Sequence, residues 1–323
     1  MGVVSHRPGL ERVIVIPRNG YLNRIQAWAS ASILAAEYDV PVRVLWEHER
    51  IAPASPEDLF DSSLVNASFI GRSDVDSLLG QNHEDLPRYL TCLPKVGVAV
   101  LAGHDQGEQL FMAQLETFIR EEPWLRTLII IAGGKFHLDS SHDFTRQREV
   151  FYQQLRWSNE IEARVEAELS GKGPFNALHL RGTDHALSAP TSRQVREALK
   201  EIRSQSNLTE LFIAADSAET LAHWTSTAQD LGFRAWSASG ISWERTSAAA
   251  GIDALVDWRL LGNSESLVYS AVSTFAEEAS VASGHRDDAI ALTAAPTTRR
   301  IRAIRRGLAS VITYPRRKLS STK

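Results

Sequence analysis

Residues 175–184 read Phe175-Asn176-Ala177-Leu178-His179-Leu180-Arg181-Gly182-Thr183-Asp184. The run from Phe175 to Leu180 follows the breakers Gly171-Lys172-Gly173-Pro174 and is short and apolar, which predicts a buried strand. Polarity then arrives all at once, with His179, Arg181 and Asp184 within six residues. In an open α/β sheet, ligands bind outside the carboxyl ends of the strands. Charged groups gathered there are costly unless they meet a partner. Arg181 cannot lose its proton, and its planar fork matches phosphate oxygens.

The alternation of strand and helix continues on both sides of this stretch. Downstream, Ser192 to Ser204 reads as a helix with the stripe Val195, Leu199 and Ile202, then Leu211 to Ala215 as a strand. Asp216-Ser217 can cap a helix running to Leu231. Arg234 to Ser237 reads as a strand, Ala254 to Leu261 as a helix and Leu267 to Ser270 as a short strand. Ser273-Thr274-Phe275 opens the next helix, Ala276 to Ala282. Upstream, Val13 to Ile16 is a strand broken by Pro17-Arg18-Asn19-Gly20. Leu22, Ile25, Ala29, Ile33 and Ala36 follow at helical spacing. Strands are expected at Val42 to Trp46, Val96 to Leu101 and Thr127 to Ala132, with a helix from Glu108 to Ile119. The segment from Ala52 to Arg88 reads as loops and short helices. One long helix is expected from Phe144 to Leu169, as a connector. Alternation of this kind predicts parallel sheets.

The fold class expected is therefore α/β, with two similar halves and a cleft between them. The expected division is 1–143, a connecting helix over 144–174, a second unit over 175–295, and a basic tail over 296–323. A length of 323 residues suits two domains. The single cysteine, Cys92, excludes an internal disulfide framework, and no zinc-type Cys/His cluster is present. The opening MGVVSHRPGLERVIVIP has no apolar stretch of signal-peptide length, so a cytoplasmic location is expected. The net charge of −4 hides an asymmetry. Nine of the 35 Lys and Arg, and none of the 39 acids, lie from Pro296 onward, so the body bears −13 and the tail +9. An acidic body argues against a nucleic-acid binder. In the tail, Ile301, Ile304, Leu308, Val311 and Ile312 form one stripe, with Arg299, Arg302 and Arg306 largely opposite. The favoured reading is packing on the acidic body or a solvated tail. The other is weak contact with an anionic membrane surface, which would put the protein at the periphery of the inner membrane.

Three turns have the composition of anion sites. The first is Asn19-Gly20-Tyr21-Leu22-Asn23-Arg24, where a glycine enters a helix amino terminus and Asn23 and Arg24 add donors. The second is His179-x-Arg181-x-x-Asp184. The third is Ser270 to Phe275, where Ser273 and Thr274 can cap a helix and donate to phosphate. Each has a plainer reading. His179 alone fits a hydrogen-bonded strand-end histidine, and Arg181 with Asp184 fits a structural ion pair. Asp257 fits a solvated residue at the start of a helix turn, and Ser273 and Asn23 fit ordinary helix caps.

Taken in order, these motifs resemble the GDP-fucose-dependent fucosyltransferase superfamily, which includes the α1,6-fucosyltransferases, the rhizobial nodulation enzyme and the protein O-fucosyltransferases. The likeness rests on Gly20 to Trp46, on His179, Arg181 and Asp184, and on Asp257-Trp258-Arg259-Leu260-Leu261 followed sixteen residues on by Ser273-Thr274-Phe275. It spans residues 12 to 284. It implies a GT-B fold, two Rossmann-like domains facing a central cleft, and an inverting, metal-independent glycosyltransferase moving fucose from GDP-fucose to a hydroxyl. Alternatives are a different nucleotide sugar, or a nucleotide-binding scaffold without catalysis. The resemblance assigns Arg181 to the β-phosphate, and His179 and Asp257 to the nucleotide, with Asp257 accepting from the guanine edge. It assigns Ser273 and Thr274 to the diphosphate. Asn23, with Gly20 and Arg24, would reach the donor from the opposite half, and Asp184 would orient the Arg181 loop. The α1,6 enzymes carry a second Arg where this chain has Gly182; the other O-fucosyltransferases lack it too. No cofactor or metal is expected. The Asp74-Val75-Asp76 pair reads as a solvated turn rather than a metal motif. A glycan, a peptide and a small molecule all remain candidate acceptors. Glu47, Asp61 and Asp85 are the carboxylates nearest the acceptor side, and none is singled out as a base.

Overall fold

In the computed structural model, residues 9–85, 89–102, 115, 117–136, 143–180, 190–243, 246–284 and 289–293 are described. The expected helix over 108–119 and the basic tail fall largely or wholly outside them. So do Arg181 and Asp184. Residues 117–121 are helical.

The first sheet has the order β2-β1-β5-β4-β3, built from β1 (Arg12–Pro17), β2 (Val42–Val44), β3 (Tyr89–Leu93), β4 (Val98–Ala102) and β5 (Thr127–Ala132). The second has the order β10-β9-β6-β7-β8, built from β6 (Asn176–Leu180), β7 (Glu210–Ala215), β8 (Arg234–Trp236), β9 (Ser266–Ser270) and β10 (Ile290–Leu292). The interior strands β1 and β6 are buried along almost their whole length, as near-continuous apolar runs in a covered parallel sheet must be.

The parallel expectation fails at one edge. β3 runs antiparallel to β4. Pro94–Val96 makes a 3-10 turn that ends at Gly97 with φ +71, and this reverses the chain. A β-carbon at Gly97 would also lie 2.7 Å from Arg126 Cγ, so the turn needs glycine twice over. The expected strand from Val96 thus begins at Val98.

The helices are α1 (Tyr21–Glu37), α2 (Pro56–Leu59), α3 (Ser62–Ser68), α4 (Arg72–Leu79), α5 (Phe144–Gln154), α6 (Asn159–Leu169), α7 (Ser192–Ser206), α8 (Ala218–Asp230), α9 (Ala248–Gly262) and α10 (Thr274–Ser283). The connector is therefore two helices rather than one. Leu155 leaves helical backbone, and the Ser158 hydroxyl caps α6 by accepting from Ile161 N. The interruption lets Trp157 sit in the core, with ring centroids 5.5 Å from Phe60 and 5.7 Å from Trp258. Packing of one large aromatic outweighs four residues of helix continuity. α9 also begins earlier than expected, because Ser247 caps it through Ala250 N. Asp74-Val75-Asp76 is helical, not a turn. Val75 is fully buried, Asp74 accepts from Gly71 N at the helix start, and Asp76 accepts from His83 N. No helix among the described residues is long and apolar enough to cross a membrane.

Candidate functional site

Each sheet has a point where the strand order reverses, and both points face one cleft. In the second sheet, β6 leads to β7 on one side and the chain returns to β9 on the other. His179 is the penultimate residue of this central strand, opposite Ala214 of β7 and Tyr269 of β9. Its buried ring stacks on Phe275, with centroids 5.2 Å apart and planes 28° from parallel. Phe275 arrives there because β9 turns straight into α10, with Ser273 N donating to Ser270 O at 2.8 Å.

Ser273 and Thr274 separate at this turn. Ser273 is fully buried, and its hydroxyl accepts from Ala276 N at 3.3 Å, so it works as the cap of α10. Thr274 lines the cleft with Phe275.

Asp257 lies mid-helix on α9 and is 8% exposed, not solvated as a helix-start position would be. Its Oδ1 has no hydrogen-bond partner, yet the residue lines the cleft beside His179 and Phe275. Burial, reinforced by Asp253 one helical turn earlier, pushes its carboxyl up to about 8. Asp253 itself is tied down: Arg164 of α6 pairs with its Oδ1 at 2.7 Å, and Ser242 N donates to its Oδ2 at 2.7 Å. A buried acceptor that holds its proton until N–H donors arrive suits an aromatic base better than a sugar.

The opposite wall comes from the start of α1. Asn19 adopts φ +71, and its Nδ2 donates to Gly133 O at 2.9 Å across the ends of β1 and β5. A β-carbon at Gly133 would lie 2.3 Å from that Nδ2, which is why the chain has glycine there. Gly20 follows at the helix start with open space where a β-carbon would be, so the free amino terminus faces the cleft. Gly20 and Asn23 line the same cavity as Thr274 and Phe275 of the other half. Arg24 does not join them. It is fully buried, donates from Nε to Asn19 O at 2.8 Å and to Glu47 O, and pairs with Glu49 at 3.2 Å. It braces the loops behind the wall.

Tyr21 is a cleft residue that sequence reasoning missed. Its hydroxyl accepts from Ala54 N at 2.8 Å, and its ring lies against Gly251 of α9. A β-carbon at Gly251 would stand 2.4 Å from the Tyr21 hydroxyl. Gly251→Ala is therefore expected to displace Tyr21 and cost about 1–2 kcal/mol of stability despite the better helix propensity of Ala. A chemical-unfolding midpoint equal to wild type would show that the two halves do not pack at this contact. The visible signal was a glycine inside an otherwise helical run. Asp253 was equally legible, as an acid four residues before Asp257 on an apolar helix.

Of the first-half carboxylates, Asp61 caps α3. Glu47 is enclosed by cations. Burial raises its carboxyl, but Arg18, His83 and Arg72 together outweigh that and leave it below the usual range. A carboxylate so held is a poor base. Glu47, His83 and Glu84 have metal-ligand chemistry and lie close together. Arg72 bridges Glu47 and Glu84 at 2.8 and 2.6 Å and Arg18 takes the other Glu47 oxygen, so guanidinium groups already fill the place of a cation.

The chain matches no family model, and no curated protein matches it by sequence. Solved structures do match. Fucosyltransferase NodZ from Bradyrhizobium superposes with a TM-score of 0.54 at 17% identity, covering 83% of this chain and 92% of that one. NodZ alpha-1,6-fucosyltransferase has also been co-crystallized with GDP. POFUT1 in complex with GDP-fucose gives 0.53 at 12% identity, covering 88% and 97%. A mutant of Arabidopsis thaliana FUT1 in complex with GDP gives 0.57 at 18%, covering 87% and 70%. The chain is thus an α/β protein of GT-B type that shares its fold with the GDP-fucose fucosyltransferases.

Proposed function

We propose that this protein is a glycosyltransferase that binds a nucleotide sugar in the cleft, GDP-fucose being the leading donor, and transfers the sugar to a hydroxyl with inversion and without a metal. The observation that carries the reading is the convergence of Asn23 and Gly20 on Thr274 and Phe275, beside the buried, unbonded Asp257 oxygen. Diphosphate and base would lie over the ends of β6 and β9, with the acceptor entering from the first half.

Breaking the anomeric C–O bond puts charge on the departing diphosphate while the sugar becomes oxocarbenium-like. The group that matters most is then a fixed cation or dipole at the β-phosphate. The family resemblance assigns this to Arg181, with support from the amino terminus of α10 and from Asn23. Asp184 would steady the loop. The acceptor oxygen bonds to the anomeric carbon from the face opposite the diphosphate, the bond to the β-phosphate oxygen breaks with its electron pair leaving on the diphosphate, and the hydroxyl proton passes to solvent water. A cytoplasmic location stays part of the proposal, as does a tail that packs on the acidic body or stays solvated, with weak membrane-surface contact as the second reading of the tail.

Arg181→Ala is expected to lower the rate of GDP-fucose turnover by about a hundredfold or more, as for loss of one preorganised donor. Incubating the purified chain with GDP-fucose and following GDP release tests both points. Turnover of a different nucleotide sugar instead would reassign the donor. Tight GDP binding with no turnover of any donor, across glycan, peptide and small-molecule acceptors, would leave a nucleotide-binding scaffold.

A further inference from the structure

Two of the exposed large apolar side chains of the described residues line this cleft, one from each half. Trp243 is 41% exposed and belongs to the second half; Ile51 is 53% exposed and belongs to the first. Both line the cavity that holds Asp257. Leaving much of an indole and of a branched alkyl group in water has a cost.

We propose that Trp243 and Ile51 form a two-sided apolar clamp on the nucleobase, so that the donor's base is held by both halves of the protein. This rests on the nucleotide-sugar reading of the cleft and names the base-facing groups within it. Three observations carry it. First, each side chain is presented by an anchored loop. Ser242, the neighbour of Trp243, is tied through its N–H to Asp253, on the same helix face as Asp257. Trp243 is therefore in fixed register with the acceptor for the base edge. Ile51 sits in the turn closed by Ala52 N donating to Glu49 O at 3.0 Å, and Glu49 is held by Arg24. Buried Arg24 thereby gains a purpose as a positioning residue. Second, the cavity combines apolar walls with the buried carboxyls of Asp253 and Asp257, and of these two Asp257 has the oxygen without a hydrogen-bond partner. A purine offers two apolar faces and an edge of N–H donors, whereas a sugar presents hydroxyl groups all round. Third, Tyr21 and Ile51 reach from the first half into a cavity otherwise built by the second. A base bound there closes the halves on each other.

The test uses the full chain and calorimetric titration with GDP and, separately, inorganic pyrophosphate. Trp243→Ala is expected to weaken GDP binding roughly tenfold and to leave pyrophosphate binding unchanged, since base stacking on an aromatic ring is worth about that much. Trp243→Phe should retain most of the affinity. Ile51→Asp should weaken GDP in the same selective way, and Ile51→Leu should not. Both residues are exposed, so folding is not at stake, and unchanged melting temperatures will verify this. Wild-type GDP affinity in both Trp243→Ala and Ile51→Asp overturns the clamp and leaves the nucleotide-sugar reading standing. The clamp is equally overturned if Trp243→Ala spares GDP but raises the KM for acceptor, which would make the indole an acceptor platform. If wild type binds pyrophosphate and GDP equally weakly, the reading of the cleft fails and the clamp goes with it.

Discussion

Asp257→Asn is expected to stabilise the ligand-free protein, by an amount that grows with pH. The wild-type carboxyl is pushed up to about 8 by burial and by Asp253, and it is 8% exposed, so little solvent screening applies. Below about pH 4 the folded and unfolded chains both carry a neutral carboxyl, and the substitution changes little. Between there and about pH 8 the unfolded carboxyl is ionised while the folded one keeps its proton. Wild type then loses stability with every pH unit, and the loss levels off once the folded group ionises. The full difference is of the order of 5 kcal/mol. Urea unfolding of both proteins from pH 4 to 9 measures it; parallel curves would mean that Asp257 is ionised at neutral pH. The same group sets the pH dependence of ligand binding. If the ionised carboxylate accepts N–H bonds from the base, binding releases a proton, and affinity for GDP falls roughly tenfold per unit as pH drops below about 8. Asp257→Asn should flatten that profile at a lower affinity. Stability would then be given up where the proposed ligand binds, which is the usual relation between a buried functional group and the fold that carries it.

The second large effect is expected at Glu278. This residue of α10 is fully buried, and Arg148 and Tyr152 of α5 both bond to its carboxylate, with Lys135 from the loop after β5 at 3.8 Å. Burial and the neighbouring carboxylate raise the Tyr152 hydroxyl well above its usual range, and it stays a proton donor. Glu278→Ala leaves the Arg148 guanidinium, 4% exposed, without its counter-charge. The expected cost is about 3–5 kcal/mol, which takes much of the stability of a typical domain. Replacing both charges, as Arg148→Met with Glu278→Leu, should recover a large part of it. The double variant separates two roles. If the pair only adds stability, the repaired core should restore the unfolding midpoint and GDP affinity together. If it also aims α10, whose first residues Thr274 and Phe275 line the cleft, then affinity should stay low after stability returns. A loss under about 1 kcal/mol for Glu278→Ala would show that the buried pair does not hold these helices.

Much of the cleft was legible because its parts are local. A strand with His179 next to its end and a Ser273-Thr274-Phe275 turn sixteen residues after Asp257 are patterns of spacing, and spacing is written in the chain. The same holds for the glycine turn before Tyr21. The errors arose where a distant contact outbid a local preference. The run from Phe144 to Leu169 has helical periodicity throughout, yet Trp157 breaks it to reach Phe60 and Trp258. The Asp74-Asp76 pair looked solvated until α4 brought Asp76 to His83. Arg24 looked like a ligand donor, because nothing nearby in sequence announces that Glu49 and the Asn19 carbonyl will consume it.

The order of apolar runs and breakers therefore determined, unaided, that two α/β halves would form and which strand ends would carry polar groups, since hydrophobic period and turn chemistry act over a few residues. Only the tertiary structure decided which of those polar groups stay available. Burial and charge are properties of the assembled neighbourhood: they left Asp257 with an unbonded oxygen, committed Ser273 and Arg24 to the framework, and brought Ile51 and Trp243, 192 positions apart in the chain, to one cavity.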